Sequence, residues 1–296
     1  MAFRSLLVPL DLSPLADRVL ARVALLPFAS RAKVTLLHVV PTSLSLSATR
    51  RAVRDAKETL TRERGQLLKE LPKHVSVTMQ VKVGAAPAAI AAAAATAKAD
   101  LVVMGRGSPR GLRDAFLGST AERVIRRSHI PVLAVRMPAR TEYRRPMVAL
   151  DLDDGAHYVV TLLQRLLPEP QPSVDVVHAF DVPFRQMRYP NLTDEDFAEV
   201  RDHYRQEAMD GLMRIIRSQV PATEIPRWTM HAKFGNPRAV VLKAAKQEKA
   251  DLLALATHGY RGVAHAFLGT VAGDVLRHVN CDVLVVPPNA AAGRRD

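Results

Sequence analysis

Two stretches of this 296-residue chain space glycine and hydroxyl residues in a way that suits phosphate. One reads Gly105-x2-Ser108-x9-Gly118-Ser119 with Thr120 next; the other reads Ala256-x2-Gly259-x9-Gly269-Thr270 with Val271 next. Glycine lets backbone approach a ligand with no Cβ in the way. A helix starting after each stretch would aim free N–H groups and its positive dipole end at an anion. Ser119, Thr120 and Thr270 add hydroxyl donors. Each stretch lacks one of three glycines, at Ser108 and at Ala256. Upstream, an apolar run ends in an aspartate in both places: Val8-Pro9-Leu10-Asp11-Leu12-Ser13 and Val148-Ala149-Leu150-Asp151-Leu152-Asp153. In the second, Asp153 replaces Ser13 and Asp154 follows. That extra negative charge would repel a polyphosphate.

Other chemistries find little support. No histidine pair sits as in a HExxH zinc helix, and neither a GxSxG elbow nor a GxxxxGK[ST] loop occurs. His38 and His178 fall at matching strand ends and are expected to be satisfied structural residues. Cys281 is the single cysteine, which excludes an intrachain disulfide and leaves a small buried hydrophobe as its expected role. The net charge of +13 favours anionic partners, nucleotides or nucleic acid among them. Arg50, Arg51, Arg54, Lys57, Arg62 and Arg64 share one helix, but Asp55, Glu58 and Glu63 interleave with them, as on a solvated face. Aromatics make up 5%, too few for base-stacking platforms, so nucleic acid is possible but not favoured. No apolar run approaches the ~20 residues of a membrane span, and the short apolar N-terminus reads as a strand. The expected location is cytoplasmic.

The elements that position these residues come in two sets. Arg4–Leu12 matches Arg144–Leu152 at five of nine positions, and Lys98–Val135 matches Lys249–Val286 at 16 of 38. The offsets are 140 and 151, so the second copy has a longer middle segment. Each copy alternates apolar runs with helical patterns. In the first, strands are expected at Leu6–Leu10, Val34–Val40, Val75–Val83, Leu101–Met104 and Val132–Val135. Helices are expected from Ser13-Pro14, over Thr49–Leu71 and Pro87–Lys98, and over about Ser119–Arg127. In the second, strands are expected at Val148–Leu150, Val174–Ala179, Trp228–Lys233, Leu252–Ala256 and Val283–Val286. A capping-box signal at Thr193–Asp196 opens its long helix, whose apolar face would carry Phe197, Val200, Tyr204, Ala208, Leu212 and Ile215. Strand–helix alternation implies a parallel sheet covered on both faces. The expected fold is therefore α/β: two tandem, doubly wound, parallel five-stranded sheets, Rossmann-like, over residues 1–138 and 144–289. The short linker 138–145 would hold them close together.

On these motifs the chain resembles the universal stress protein family, as a tandem two-domain member of the adenine nucleotide alpha hydrolase-like fold group. The resemblance covers nearly the whole chain. It implies a stress-response protein that binds ATP or another adenine nucleotide, with or without Mg, and acts by conformational or assembly signalling. It implies that Pro9, Asp11 and the Val39 backbone hold the adenosine end in copy one, while Gly105, Ser108, Gly118, Ser119 and Thr120 hold ribose and phosphates. The weaker counterparts in copy two are Asp151, Ala179, Ala256, Gly259, Gly269, Thr270 and Val271. No catalytic residue and no metal site are expected; weak ATP hydrolysis is the enzymatic alternative, and an interaction module with vestigial pockets is the other. The final strands of the two copies are expected to meet across a pseudo-twofold axis, and the chain to form a homo-oligomer, a dimer. Gly118→Val should abolish binding and Gly269→Val leave it nearly intact.

Overall fold

A computed structural model of the chain describes residues 2–13, 16–105, 120–153, 155–182, 193–257 and 268–287. Ser108, Gly118, Ser119 and Gly259 lie outside the described residues.

Copy one contributes β1 (Phe3–Pro9), α1 (Ala16–Ala24), β2 (Phe28–Val40), α2 (Leu46–Glu70), β3 (Ser76–Val83), α3 (Ala86–Thr96), β4 (Leu101–Gly105), α4 (Thr120–Arg127) and β5 (Val132–Val135). Copy two contributes β6 (Pro146–Ala149), α5 (Ala156–Leu166), β7 (Val174–Phe180), α6 (Asp194–Gln219), β8 (Trp228–Phe234), α7 (Pro237–Gln247), β9 (Leu252–Ala256), α8 (Thr270–His278) and β10 (Asp282–Val286). The ten strands among the described residues form one sheet in the order β3-β2-β1-β4-β5-β10-β9-β6-β7-β8. Within each half every pairing is parallel. At the seam β5 and β10 run antiparallel, with Val283 opposite Ala134, Leu284 opposite Leu133 and Val285 opposite Val132. The two five-stranded halves are thus one mixed ten-stranded sheet, and the two final strands cover each other's edges. The strand order reads the same from either end, as a pseudo-twofold relation requires.

The apolar runs are buried because both faces of the sheet are covered. Val8, Val34, Leu101, Leu133, Val148, Val176 and Leu284 join one core with α1, α2, α5 and α6. Leu7, Leu37, Val102, Val132, Leu253 and Val283 join the other, with α3, α4, α7 and α8. Both cores cross the seam. The shared tetrapeptide Lys-Ala-Asp-Leu has a mechanical role. Lys98 and Lys249 take positive φ (45° and 51°), ending α3 and α7. Asp100 then accepts from the amides of Arg4 (2.6 Å) and Ser5 (3.2 Å), and Asp251 from those of Arg144 (2.7 Å) and Arg145 (3.1 Å), fastening the start of each first strand.

Some expected boundaries move. β2 starts at Phe28, six residues early, because Phe3 already pairs with Phe28 before a register shift ahead of Ser5. α2 starts at Leu46 because Ser45, not a residue nearer Thr49, accepts the Ala48 amide as N-cap. The capping box at Thr193 and Asp196 is present. The apolar face of α6 is shorter than its spacing suggests: Ala208, Leu212 and Ile215 are buried, whereas Val200 is exposed and Phe197 and Tyr204 are half-buried. Among the described residues no side chain in the first turns of the helix is buried. The longer middle of copy two falls mainly between β7 and α6, residues 181–193, against 41–45 in copy one.

Polar pins join the copies. Asp282 is fully buried, and its carboxylate accepts from Arg22 Nε (3.1 Å), Tyr143 Oη (2.8 Å) and the amides of Arg136 (2.7 Å) and Met137 (3.0 Å). Arg22 also lies 3.9 Å over the Tyr143 ring. In the reverse direction Arg165 of copy two reaches Asp100 (3.6 Å) and the Ala2 carbonyl (3.3 Å). Arg277 makes two 3.3 Å contacts with the buried carboxylate of Glu122. The copies do pack closely, as the short linker implies.

Candidate functional site

In each half the chain runs outward through three strands and then returns to the other side of the first. The reversal lies between β1 and β4 in copy one and between β6 and β9 in copy two. Crossovers leave in opposite directions there and open a crevice beyond the carboxyl ends of the strands. Pro9, Asp11 and Gly105 therefore flank one crevice, and Asp151 and Ala256 the other.

The first-strand ends are built alike. Leu10 N donates to Leu37 O (2.8 Å) and Leu150 N to Val177 O (3.0 Å). His38 Nδ1 donates to Leu10 O and His178 Nδ1 to Leu150 O, both at 2.8 Å. A carbonyl only accepts, so Nδ1 carries the proton in both rings, and Nε2 is an acceptor whenever the ring is neutral. Both histidines are structural in the sense expected, and each fixes the turn that carries its aspartate. Asp11 is exposed and accepts from the Ser13 amide (3.1 Å) and hydroxyl (2.7 Å). Asp151 accepts from the Leu152 amide (2.9 Å), and Asp153 from the Gly155 amide (3.0 Å).

In copy two the crevice is a cavity of about 370 Å³, within the usual range for small-molecule sites. Asp151, Ala179, Ala256, Gly269, Thr270 and Val271 all line it, so every described residue expected of the second site is there. Its walls are mainly apolar, from Val159, Val177, Val241 and Leu255 among others, and Asp153 and His178 also face it. The start of α8 forms one side. First-turn amides of a helix have no partner within the helix, so those of Thr270, Val271 and Ala272 are suited to an acceptor. Gly269 has a second reason to be glycine. Its amide donates to Thr257 O (2.8 Å), and a Cβ on it would lie 2.7 Å from that same oxygen. Gly269→Val would therefore crowd a backbone oxygen, whatever it does to ligand binding.

In copy one the described candidates are Pro9 (buried), Asp11 (exposed), and Val39, Gly105 and Thr120 (half-buried). They occupy the ends of β1, β2 and β4 and the start of α4, the places equivalent to the lining of the second cavity.

Comparison with known proteins agrees with this architecture. The sequence model of the family described as "Universal stress protein family" matches residues 2–136 and again 142–287. The chain belongs to the universal stress protein family. A curated universal stress protein of Synechocystis is 28% identical over 152 residues, spanning 49% of this chain and 97% of its own. Relatives of that size align with about half of this tandem universal stress protein. Two solved structures share the whole fold at 17% identity. A universal stress protein from Archaeoglobus fulgidus has a TM-score of 0.66, covering 96% of both chains. A putative universal stress protein from Pseudomonas aeruginosa has a TM-score of 0.63, covering 99% of this chain and 96% of its own.

Six lining residues of the universal stress protein's second cavity escaped the sequence reading: Ala156, Val159, Pro237, Val241, Thr257 and Ala272. Pro237 and Val241 belong to α7, whose first turn, capped by Asn236 and opened by a proline, faces the same edge of the sheet. The Asn-Pro pair was a usable signal. Cys281 is buried, and burial followed by the neighbouring Asp282 pushes its thiol up to about 12, which removes it from nucleophilic chemistry. The basic residues of α2 are exposed as expected; Arg64 also donates to Val77 O (2.7 Å), tying helix to strand. No described helix is long and apolar enough to cross a membrane.

Proposed function

We propose that this universal stress protein binds an adenine nucleotide, chiefly in copy one, and transmits the bound state through conformation or assembly. The observation that carries the reading is the copy-two cavity, where the residues expected from the sequence line one crevice at the reversal of strand order. Copy one places its described candidates at the equivalent strand ends and helix start, with glycine at 105 in place of Ala256 and serine at 13 in place of Asp153. It offers closer backbone approach and less negative charge. An apolar crevice suits a purine, the strand-end carboxylate suits ribose hydroxyls, and a helix N-terminus suits phosphate. Among the described residues no group of three His, Cys, Asp or Glu side chains gathers to hold a metal ion. A magnesium ion would arrive with the phosphates it neutralises.

Calorimetric titration of ATP, with and without Mg, into the full chain tests this. About one nucleotide per chain should bind with a Kd of micromolar order. Asp11→Ala and Gly105→Val should each weaken it at least tenfold. Absence of binding by the wild-type protein would hand the case to the alternative of vestigial pockets. Slow phosphate release that disappears in Gly105→Val would add weak hydrolysis to the activity.

A further inference from the structure

We infer that the copy-two cavity takes an unphosphorylated nucleoside and rejects nucleotides increasingly as their negative charge rises. This deepens the proposed function and rests on its assignment of the crevices to an adenine-bearing ligand.

The repeat places the two crevices in register, and the substitutions that change their polarity point mostly one way. Ser13 becomes Asp153, a carboxylate facing the cavity. Arg106 becomes Thr257, which removes a positive charge from the position after the fourth strand of the copy. Thr120 becomes Val271, which removes a hydroxyl donor at the helix start where phosphate would sit. Gly105 becomes Ala256, whose methyl narrows the same end. By sequence the stretch 106–119 carries three arginines and one aspartate, and its counterpart 257–270 carries one arginine, no acid and two histidines. The described lining of the cavity contains two carboxylates, Asp151 and Asp153, and no lysine or arginine.

The end that would receive a base and sugar has not changed in kind. His178 still holds the turn at Leu150, Asp151 stands where Asp11 stands, and Val159, Val177 and Leu255 keep the walls apolar. Asp151 and Asp153 are acceptors, as is Nε2 of a neutral His178. They match a ligand rich in donors, such as an amino-substituted purine with ribose hydroxyls. A phosphate brought into this cavity meets the like charge of Asp151 and of the half-buried Asp153, and burial makes repulsion from the latter stronger than in bulk water.

The test is calorimetric titration of the full-length Asp11→Ala protein, alone and with Gly105→Val added so that copy one is silenced, with adenosine, AMP and ATP. Adenosine should bind about one per chain. AMP should bind more weakly, and ATP at least a hundredfold more weakly than adenosine. Ala179→Trp, added to fill the cavity, should remove adenosine binding. Asp153→Ser, which restores the copy-one residue, should shrink the adenosine-to-ATP ratio about tenfold; it alters one half-buried side chain and serves if the tryptophan variant fails to fold. The inference is overturned if adenosine does not bind at millimolar concentration, if ATP binds as tightly as adenosine, if adenosine binding survives Ala179→Trp, or if Asp153→Ser leaves the ratio unchanged. Wild-type protein that binds no ATP while Asp11→Ala binds adenosine would defeat the copy-one reading and leave this one standing.

Discussion

At the end of β1, Asp11 receives the amide and hydroxyl of Ser13; at the end of β6, the same turn carries a second acid, Asp153, turned to the Gly155 amide. The framework is duplicated at both ends of each first strand: a histidine on the carbonyl before the turn at the carboxyl end, and at the amino end an aspartate on the first-strand amides after a positive-φ lysine that ends a helix. The copies therefore agree where residues position the chain and diverge where residues line the crevice. Duplication fixed the crevice and left its chemistry free.

The comparison can be broken most severely at the seam. Copy two places Asp282 where copy one has Pro131. Asp282→Ala would strand the Arg22 charge in the interior, and loss of one partner of a buried pair costs about 3–5 kcal/mol. Urea unfolding followed by fluorescence should show that loss; a change below about 1 kcal/mol would mean that the apolar strands alone hold the copies together.

Two glycines of α8 and its start sharpen the comparison. Gly269→Ala pushes a methyl to 2.7 Å from a backbone oxygen and should cost about 1–3 kcal/mol, as overpacking does. Gly273→Ala meets only ordinary contacts at 3.8 Å or more and should stabilise by about 0.5–1 kcal/mol through helix propensity. Thermal melts of the pair should move in opposite directions.

Alkaline pH separates the seam from both crevices. Burial, then Asp282, raises both the Tyr143 phenol and the Cys281 thiol, the thiol from 9.0 to about 12. An acid whose folded pKa is raised leaves stability intact below its unfolded value. Above that value the unfolded chain loses the proton first. Stability should therefore hold to about pH 9 and decline between pH 9 and 12. Tyr143→Phe should soften the decline above pH 10, which chemical unfolding at several pH values would reveal.

The smallest contrast is between helix caps. Thr193 and Asp196 satisfy each other reciprocally, whereas Ser45 makes a single 3.3 Å bond to the Ala48 amide. Thr193→Ala should cost about 1 kcal/mol and Ser45→Ala about half of that. Equal losses in melting experiments would show that the reciprocal bond adds nothing.

Much of this was legible in the sequence because it occurs twice. The alignment of the copies showed the strand–helix alternation of each half and singled out Asp151, Ala256, Gly269, Thr270 and Val271, which line the second cavity. It was blind to features that occur once. Asp282, Glu122 and Arg165 join the halves, and comparison of the copies sets such positions aside as mismatches: Asp282 faces Pro131 in the alignment and Glu122 faces Gly273. A carboxylate at the head of Asp-Val-Leu-Val-Val was nevertheless a sign, since an acid there needs several donors if the strand is buried. The exposure of Val200 at the start of α6 was hidden for another reason. Helical periodicity reports which residues share a face, not how much of that face is covered.

The antiparallel seam has a consequence for how the molecule can vary. When identical subunits meet across a twofold axis, every substitution appears on both sides, and partners can be exchanged among subunits in solution. Here the β5–β10 pairing is made within one chain. Each half is permanently matched to the other at an effective concentration that dilution cannot change. A carboxylate such as Asp282 can then be introduced on one side alone, and an altered pocket is inherited together with its unaltered neighbour in a fixed one-to-one ratio.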